Sequence, residues 1–322
     1  MVAWDLALLV ISVVVLARAS SLVVDNIVKL SRFFNISQVA IGFLLLAVST
    51  SLPELSVSVA SSSLGEGAIA AGNVFGSNIA NILLILGTGA FLYGFRISPA
   101  NLKDIGLVLL LTTLISIYII FNSSVEQRAL GFPEGLILLS VYGLYVWHTL
   151  GKKRVEDGNR NGKVAKKDAL TALLLFVFGI VLVIASSGFV VSSAVVLARE
   201  IGVAESFIGA TLIAVGTSLP EFSVDLQAIR KKHYGIALGD AIGSNMANLT
   251  LVLGTAAAIN TIEVRLPIFI AALLFAVIAN SILLYVAAVN KKVQRLGGAL
   301  FLAIYVIYLA VIFYLQFDEL GG

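Results

Sequence analysis

Apolar residues in this chain are gathered into long blocks separated by short polar stretches, not spread at the spacing of a soluble amphipathic fold. A membrane-crossing helix needs about 20 consecutive apolar residues. Blocks of that kind run over approximately 3–28, 37–63, 67–93, 104–121, 130–149, 169–198, 205–229, 235–260, 266–289 and 296–316. One polar break stands out, from Gly151 to Asp168, and it divides the blocks into two sets of five. The pattern predicts an all-α membrane protein of ten transmembrane helices. Its units are a five-helix half over 1–150, a linker over 151–168 and a second five-helix half over 169–322. The first block follows Met1 directly and exceeds the apolar core of a signal peptide, so it is expected to stay as a helix.

Composition agrees with this reading. The 322 residues are 59% hydrophobic and 12% charged, with a mean hydropathy of +1.04, where soluble domains run to about 25% charged. That excludes a soluble enzyme, a nucleic-acid binder and a disordered chain. The absence of cysteine excludes disulfides and thiolate metal sites. Loops after the odd-numbered blocks hold 17 of the 21 basic residues, seven of them between Lys152 and Lys167. Cytoplasmic loops collect Lys and Arg, so the linker 151–168 is expected in the cytoplasm and both termini outside, in a multi-pass protein of the cell membrane. The net charge of +3 thus reports topology and is no argument for nucleic acid.

The chain also repeats itself. At an offset of 167, Ile41–Thr88 aligns with Ile208–Thr255 without a gap, and 24 of the 48 positions are identical. The matches include Ala47-Val-Ser-Thr-Ser-Leu-Pro-Glu54 against Ala214-Val-Gly-Thr-Ser-Leu-Pro-Glu221, and Gly76-Ser-Asn-Ile-Ala-Asn81 against Gly243-Ser-Asn-Met-Ala-Asn248. Chance likeness between apolar helices would match Leu, Val and Ala, but not Pro, Glu, Ser and Asn in register. Five spans per half make the second copy enter the membrane from the opposite side. That is the inverted-topology arrangement in which secondary transporters build a midplane site on interrupted helices. Pro53 and Pro220 lack a backbone N–H, so carbonyls around Ala47–Thr50 and Ala214–Thr217 are expected to be freed for a cation.

Glu54, Glu221, Asp225 and Asp240 are the acids placed well inside the blocks. A charged carboxylate at the bilayer centre costs about 2.5–3.5 kcal/mol even on a lenient scale. No Lys, Arg or His lies in the second, third, seventh or eighth block to compensate. A cation or a proton has to. The nearby donors are hydroxyls (Thr50, Ser51, Ser77, Thr217, Ser218, Ser244), amides (Asn81, Asn248) and the freed carbonyls. These hard oxygens suit calcium and sodium, not zinc or copper. His148 and His233 fall at block ends and read as interfacial residues.

Ser49-Thr-Ser-Leu-Pro-Glu54 with Gly72-Asn-Val-Phe-Gly-Ser-Asn78, and Gly216-Thr-Ser-Leu-Pro-Glu221 with Gly239-Asp-Ala-Ile-Gly-Ser-Asn245, resemble the paired alpha-repeats of the cation/calcium exchanger superfamily. The prokaryotic sodium/calcium exchangers are the most similar branch. The resemblance implies a sodium/calcium antiporter, not an enzyme, that works in the lipid bilayer without a cofactor. It implies that Glu54 and Glu221 chelate calcium together with the carbonyls of Thr50 and Thr217. Sodium would use the same carboxylates with Ala47, Ser51, Ser77 and Asn81 and their counterparts Ala214, Ser218, Ser244 and Asn248. The first and sixth helices would slide across a fixed core to switch access.

The chain departs from that pattern in three places. An acid at Asn248 would go with potassium co-transport, so potassium dependence is not expected. Asp240 stands where the first half has Asn73, and Asp225 where it has Ser58. These two are assigned to an inner vestibule or a proton site, against the plainer reading that Asp225 pairs with Arg230 or Lys231. Protons competing for the carboxylates make a proton/calcium antiporter the alternative on the same fold. An intramembrane aspartyl protease is the remote one, because Ala237-Leu-Gly-Asp240 lacks the first glycine of its motif.

Overall fold

The computed structural model describes residues 2–98, 102–126, 130–151, 165–200, 216–262, 266–289 and 291–321, and nearly all of them are helical. A long helix, α1 (Val2–Phe34), leads into a broken one: α2 (Gln38–Ile41), a π-helical turn over Gly42–Leu46, α3 (Ala47–Thr50) and α4 (Leu52–Ser63). The return segment is α5 (Gly67–Ile79), a π-helical stretch over Ala80–Leu86 and α6 (Gly87–Leu92). A strand β1 (Phe95–Arg96) precedes α7 (Leu102–Glu126), α8 (Phe132–Gly151) and α9 (Lys166–Glu200). The second half repeats the broken design with α10 (Leu219–Arg230), α11 (Tyr234–Ala247), a π-helical turn over Asn248–Val252 and α12 (Leu253–Ile259). Helix α13 (Leu266–Val289), strand β2 (Lys292–Val293) and α14 (Arg295–Gly321) complete it, with β1 and β2 paired antiparallel.

Six helical spans among the described residues are long and apolar enough to cross a bilayer, seven when the bent pair α2–α4 counts as one. The ten expected blocks are not all met at that standard. The block at 205–229 is described only from Gly216 onward, and Ile105–Tyr118 supplies only a short apolar helix. Helix α8 carries Glu134 in its first turn and His148 in its last. The break in the second block sits at Ser51, where the axis turns by 47°. Pro53 lies in the first turn of α4, a position where its missing N–H costs nothing. The proline therefore starts a helix instead of bending one.

Helices α1 and α9, of 33 and 35 residues, form the largest helix–helix interface among the described residues. Each is about 50 Å long, more than enough to cross a hydrocarbon core of about 30 Å. Their outer faces expose Val10, Ile11, Val14, Leu174 and Val181, as lipid-facing helices do. The centre is made elsewhere. Gly67–Leu92 and Tyr234–Ile259 are 72% and 78% buried, compared with 33% for the first span. Backbone meets backbone where α11 crosses α2 and the π-helical turn. A Cβ on Gly239 would stand 2.5 Å from the Val39 carbonyl oxygen, and one on Gly42 2.8 Å from that of Ile236. Small residues allow this approach in membranes, where packing drives helix association. The crossing presses Ala47–Thr50 of the first half against α11 of the second.

Candidate ion-binding site

Glu54 and Glu221 occupy the first turns of α4 and α10, and both are buried. A helix N-terminus favours a carboxylate through its unpaired N–H groups and dipole. Ser51 and Ser218 are the N-cap residues, a position where serine ordinarily accepts a hydrogen bond from its own helix. Neither does so here. The serines act across the molecule instead. Ser51 Oγ donates to Glu221 Oε1 at 3.4 Å, and Ser218 Oγ to Glu54 Oε1 at 3.2 Å. Ser77 Oγ lies 3.4 Å from the same Glu54 oxygen and 3.1 Å from Ser218 Oγ, closing a triangle. Its counterpart Ser244 instead reaches the Ala47 carbonyl, at 3.5 Å.

Four asparagines lock the two halves together behind the glutamates. Asn78 Nδ2 donates to the Asn245 carbonyl at 3.3 Å and Asn245 Nδ2 to the Asn78 carbonyl at 3.0 Å. Asn81 Nδ2 then donates to Asn245 Oδ1 at 3.0 Å, and Asn248 Nδ2 to Asn78 Oδ1 at 3.2 Å. This arrangement engages the side-chain nitrogens and leaves Asn81 Oδ1 and Asn248 Oδ1 buried without a partner. Glu54 Oε2, Glu221 Oε2, Asp240 Oδ2 and both Asp225 oxygens are in the same condition. Buried polar atoms are nearly always hydrogen-bonded. A cluster of orphans that are all acceptors marks a place for something positive.

The threonines also cross over. Thr50 Oγ1 lies 3.2 Å from Asp240 Oδ1, and Thr217 Oγ1 lies 3.4 Å from Asn73 Oδ1. Ala47 is buried, and its carbonyl accepts the Ser51 N–H at 3.1 Å, so that oxygen is not freed by the break as the proline pattern suggests. Ala214 lies outside the described residues. Asp225 does not pair with Arg230 or Lys231. It is wholly buried, while Lys231 Nζ holds Asp25 at 2.7 Å and Ser21 Oγ at 2.7 Å on α1. Among the described residues no Lys, Arg or His pairs with any of the four acids, and no three His, Asp or Glu side chains converge as a metal cluster. An ion here would be held by carboxylates in twos, completed by hydroxyl, amide and carbonyl oxygens. That is a donor set for a hard cation. His233 stands apart in the turn before α11, where half-burial holds its imidazole below the usual value against the pull of Asp25.

The chain matches the family described as sodium/calcium exchanger protein over residues 4–151 and 171–314. It belongs to that family. An uncharacterized membrane protein of Methanocaldococcus jannaschii is 32% identical over 284 residues, spanning 88% of this chain and 89% of the relative. The sodium/calcium exchanger MaX1 of Methanosarcina acetivorans is 28% identical across 98% of this chain and all of its own. Among solved structures, the sodium-calcium exchanger NCX_Mj, soaked with sodium and without calcium, superposes with a TM-score of 0.83 at 28% identity. It covers 96% of this chain and 99% of that one. Membership makes this exchanger-family chain a multi-pass membrane transporter whose class moves sodium and calcium without a cofactor, and it removes the aspartyl-protease reading.

Sequence reasoning nominated Asn81 and Asn248 but passed over Asn78 and Asn245, which carry the reciprocal bonds between halves. The signal was present, since both asparagines recur in register. It also left Asn73 and Ser58 as mere points of contrast. In the structure Asn73 Nδ2 donates to Ser58 Oγ at 3.0 Å and to the Glu54 carbonyl at 3.1 Å, so it buttresses the first glutamate.

Proposed function

We propose that the chain exchanges sodium for calcium by alternating access, with both ions competing for a site on Glu54 and Glu221. The observation that carries this reading is the reciprocal pair of serine bonds. Each half's glutamate is finished by the other half's Ser51 or Ser218, and each keeps one buried oxygen without a partner. Thr50, Thr217, Ser77, Ser244, Asn81, Asn248 and the backbone at Ala214 complete the ligand set, and the Ala47 carbonyl joins it by exchanging the Ser244 hydroxyl for the ion. An empty site with both glutamates ionised is poorly suited to closing behind an apolar gate. One calcium, or several sodium ions, neutralises the pair, so only the loaded carrier changes sides and an inward sodium gradient drives calcium out.

The architecture we assign is ten spans in two inverted halves, 1–150 and 169–322, joined by a cytoplasmic linker at 151–168 with both termini outside. The offset of 167 between matched motifs and the mutual Asn78–Asn245 bonds support it. Helices α1 and α9, apolar, long and packed on each other, are the elements that slide.

The test uses purified protein in sodium-loaded vesicles. Dilution into sodium-free buffer should drive calcium uptake, and Glu54→Gln or Glu221→Gln should abolish it. Uptake driven by a pH gradient alone would replace sodium with protons as the counter-ion. Flux without any counter-ion would make the protein a channel. Because the chain has no cysteine, single cysteines placed near residue 2 and within the linker report topology by labelling from either side.

A further inference from the structure

The two halves differ where a pair of neutral residues is matched by a pair of acids. In the first half Asn73 mediates between its neighbours. Its oxygen accepts from Thr217 Oγ1 at 3.4 Å, and its nitrogen donates to Ser58 Oγ at 3.0 Å and to the Glu54 carbonyl at 3.1 Å. At the offset of 167 the same places hold Asp240 and Asp225. Asp240 Oδ1 still accepts, from Thr50 Oγ1 at 3.2 Å. A carboxylate has no proton to pass on. Asp240 can therefore donate neither to Asp225 nor to the Glu221 carbonyl, the counterpart of the one that Asn73 serves.

The two carboxyl groups nonetheless interact directly, and Glu221 and Glu54 are the further charged groups near Asp240. Both aspartates are completely buried. Asp240 Oδ2 and both oxygens of Asp225 have no partner, and Lys231, the nearby base, is turned outward to Asp25. Two acceptor-only groups in contact, out of water and without a base, need a positive centre between them.

We propose that Asp225 and Asp240 form a second cation site, for a hard divalent ion of the calcium class, one helical turn from the glutamates towards the Arg230–Lys232 end of α10. A divalent ion cancels both charges at once. It finds oxygen donors there: the two carboxylates and the Thr50 hydroxyl, 3.2 Å from Asp240 Oδ1. Thr50 belongs to α3, which the glutamate site also uses, so the ion would stand one step from that site. Its role as a relay to the transport site rests on the function proposed above; the binding itself does not.

The test is equilibrium binding of radioactive calcium to the purified full-length chain in sodium-free buffer. Wild type should bind one calcium more than the double variant Asp225→Ser, Asp240→Asn. That variant installs the first half's own hydrogen-bonded pair, so the fold has a precedent for it. The double variant Glu54→Gln, Glu221→Gln should keep the second calcium. If the aspartate variant binds as much calcium as wild type, the proposal is overturned and a shared proton joins the pair. If the aspartate variant loses a calcium and the glutamate variant loses none, the second site stands and the glutamate reading falls. Should the double aspartate variant not fold, Asp225→Asn alone must weaken one calcium-binding step at least about tenfold, and unchanged binding would end the idea.

Discussion

Matched positions in the two halves can be compared directly, and they fall into two kinds. Some keep the same residue and the same contact with the partners exchanged: Ser51 serves Glu221 as Ser218 serves Glu54, and Asn78 bonds Asn245 as Asn245 bonds Asn78. Others keep the residue but not the environment, or change the residue altogether. Ser77 touches a glutamate while Ser244 touches a carbonyl, and Ser58 with Asn73 becomes Asp225 with Asp240. Every contact of the first kind crosses between halves. Each glutamate takes a serine hydroxyl from the other half, so the site is completed only when the halves are assembled. Contacts of the second kind make the two halves chemically different around the glutamates.

The largest effect that tests this comparison is at the glutamates. If the halves are equivalent there, Glu54→Gln and Glu221→Gln should each reduce sodium-driven calcium uptake to the level of protein-free vesicles. A neutral amide keeps the shape but leaves a single carboxylate facing the ion. Substantial uptake by one variant and none by the other, measured with radioactive calcium, would break the symmetry of the site.

Matched glycines should separate next. Gly72 and Gly239 occupy the same place in the repeat. A Cβ on Gly72 meets nothing within 4 Å, whereas one on Gly239 would collide with the Val39 carbonyl at 2.5 Å. Overpacking costs about 1–3 kcal/mol, and alanine gains up to about 1 kcal/mol over glycine inside a helix. Gly239→Ala should therefore lower the melting temperature of the detergent-purified protein by several degrees. Gly72→Ala should hold or raise it. Equal melting of the two variants would show that the crossing of α2 and α11 is looser than its geometry.

The asparagine lock comes third. Asn78→Ala removes an amide that both donates to the Asn245 carbonyl and accepts from Asn248, stranding a buried donor and a buried acceptor. About 1–3 kcal/mol should be lost, and Asn245→Ala should match it because its bonds are the same in reverse. A thermal melt that spares one of the two would contradict the exchange of partners.

How far the sequence reveals these features depends on the kind of physics involved. Apolar blocks, the acids inside them and the repeat are legible because hydrophobic length and in-register Pro, Glu, Ser and Asn are properties of the chain itself. Partner choice is not. Ser51 looks like an ordinary N-cap of α4, and only the folded chain shows that it serves a carboxylate 170 residues away. Asp225 sits five and six residues before two bases, yet the helix turns it inward and carries Lys231 outward to Asp25. Pro53 suggests a mid-helix kink, and the axis does break just before it, at Ser51, which leaves the proline in the first turn of α4. For Ser51 and Asp225 it is a long-range environment that decides what the local pattern leaves open.

The smallest expected effect is the most discriminating, because it separates the two serines that the repeat makes identical. Removing either hydroxyl deletes one hydrogen bond to a carboxylate, for about 1.5 kcal/mol or a little more. The surroundings then differ. Ser218 belongs to a triangle with Ser77, and after Ser218→Ala the Ser77 hydroxyl, 3.4 Å from Glu54 Oε1, remains to serve that oxygen. Among the described residues Ser51 has no free understudy: Ser244, the counterpart of Ser77, is engaged with the Ala47 carbonyl at 3.5 Å, and the Thr50 hydroxyl near Glu221 is held by Asp240 at 3.2 Å. Calcium affinity, read by equilibrium binding, should thus fall about tenfold in Ser51→Ala and less in Ser218→Ala, although the Ser218 bond is the shorter of the two. Adding Ser77→Ala to Ser218→Ala should bring the loss level with Ser51→Ala. If Ser218→Ala alone is the weaker binder, the triangle does not share its load and bond length, not redundancy, ranks the two halves.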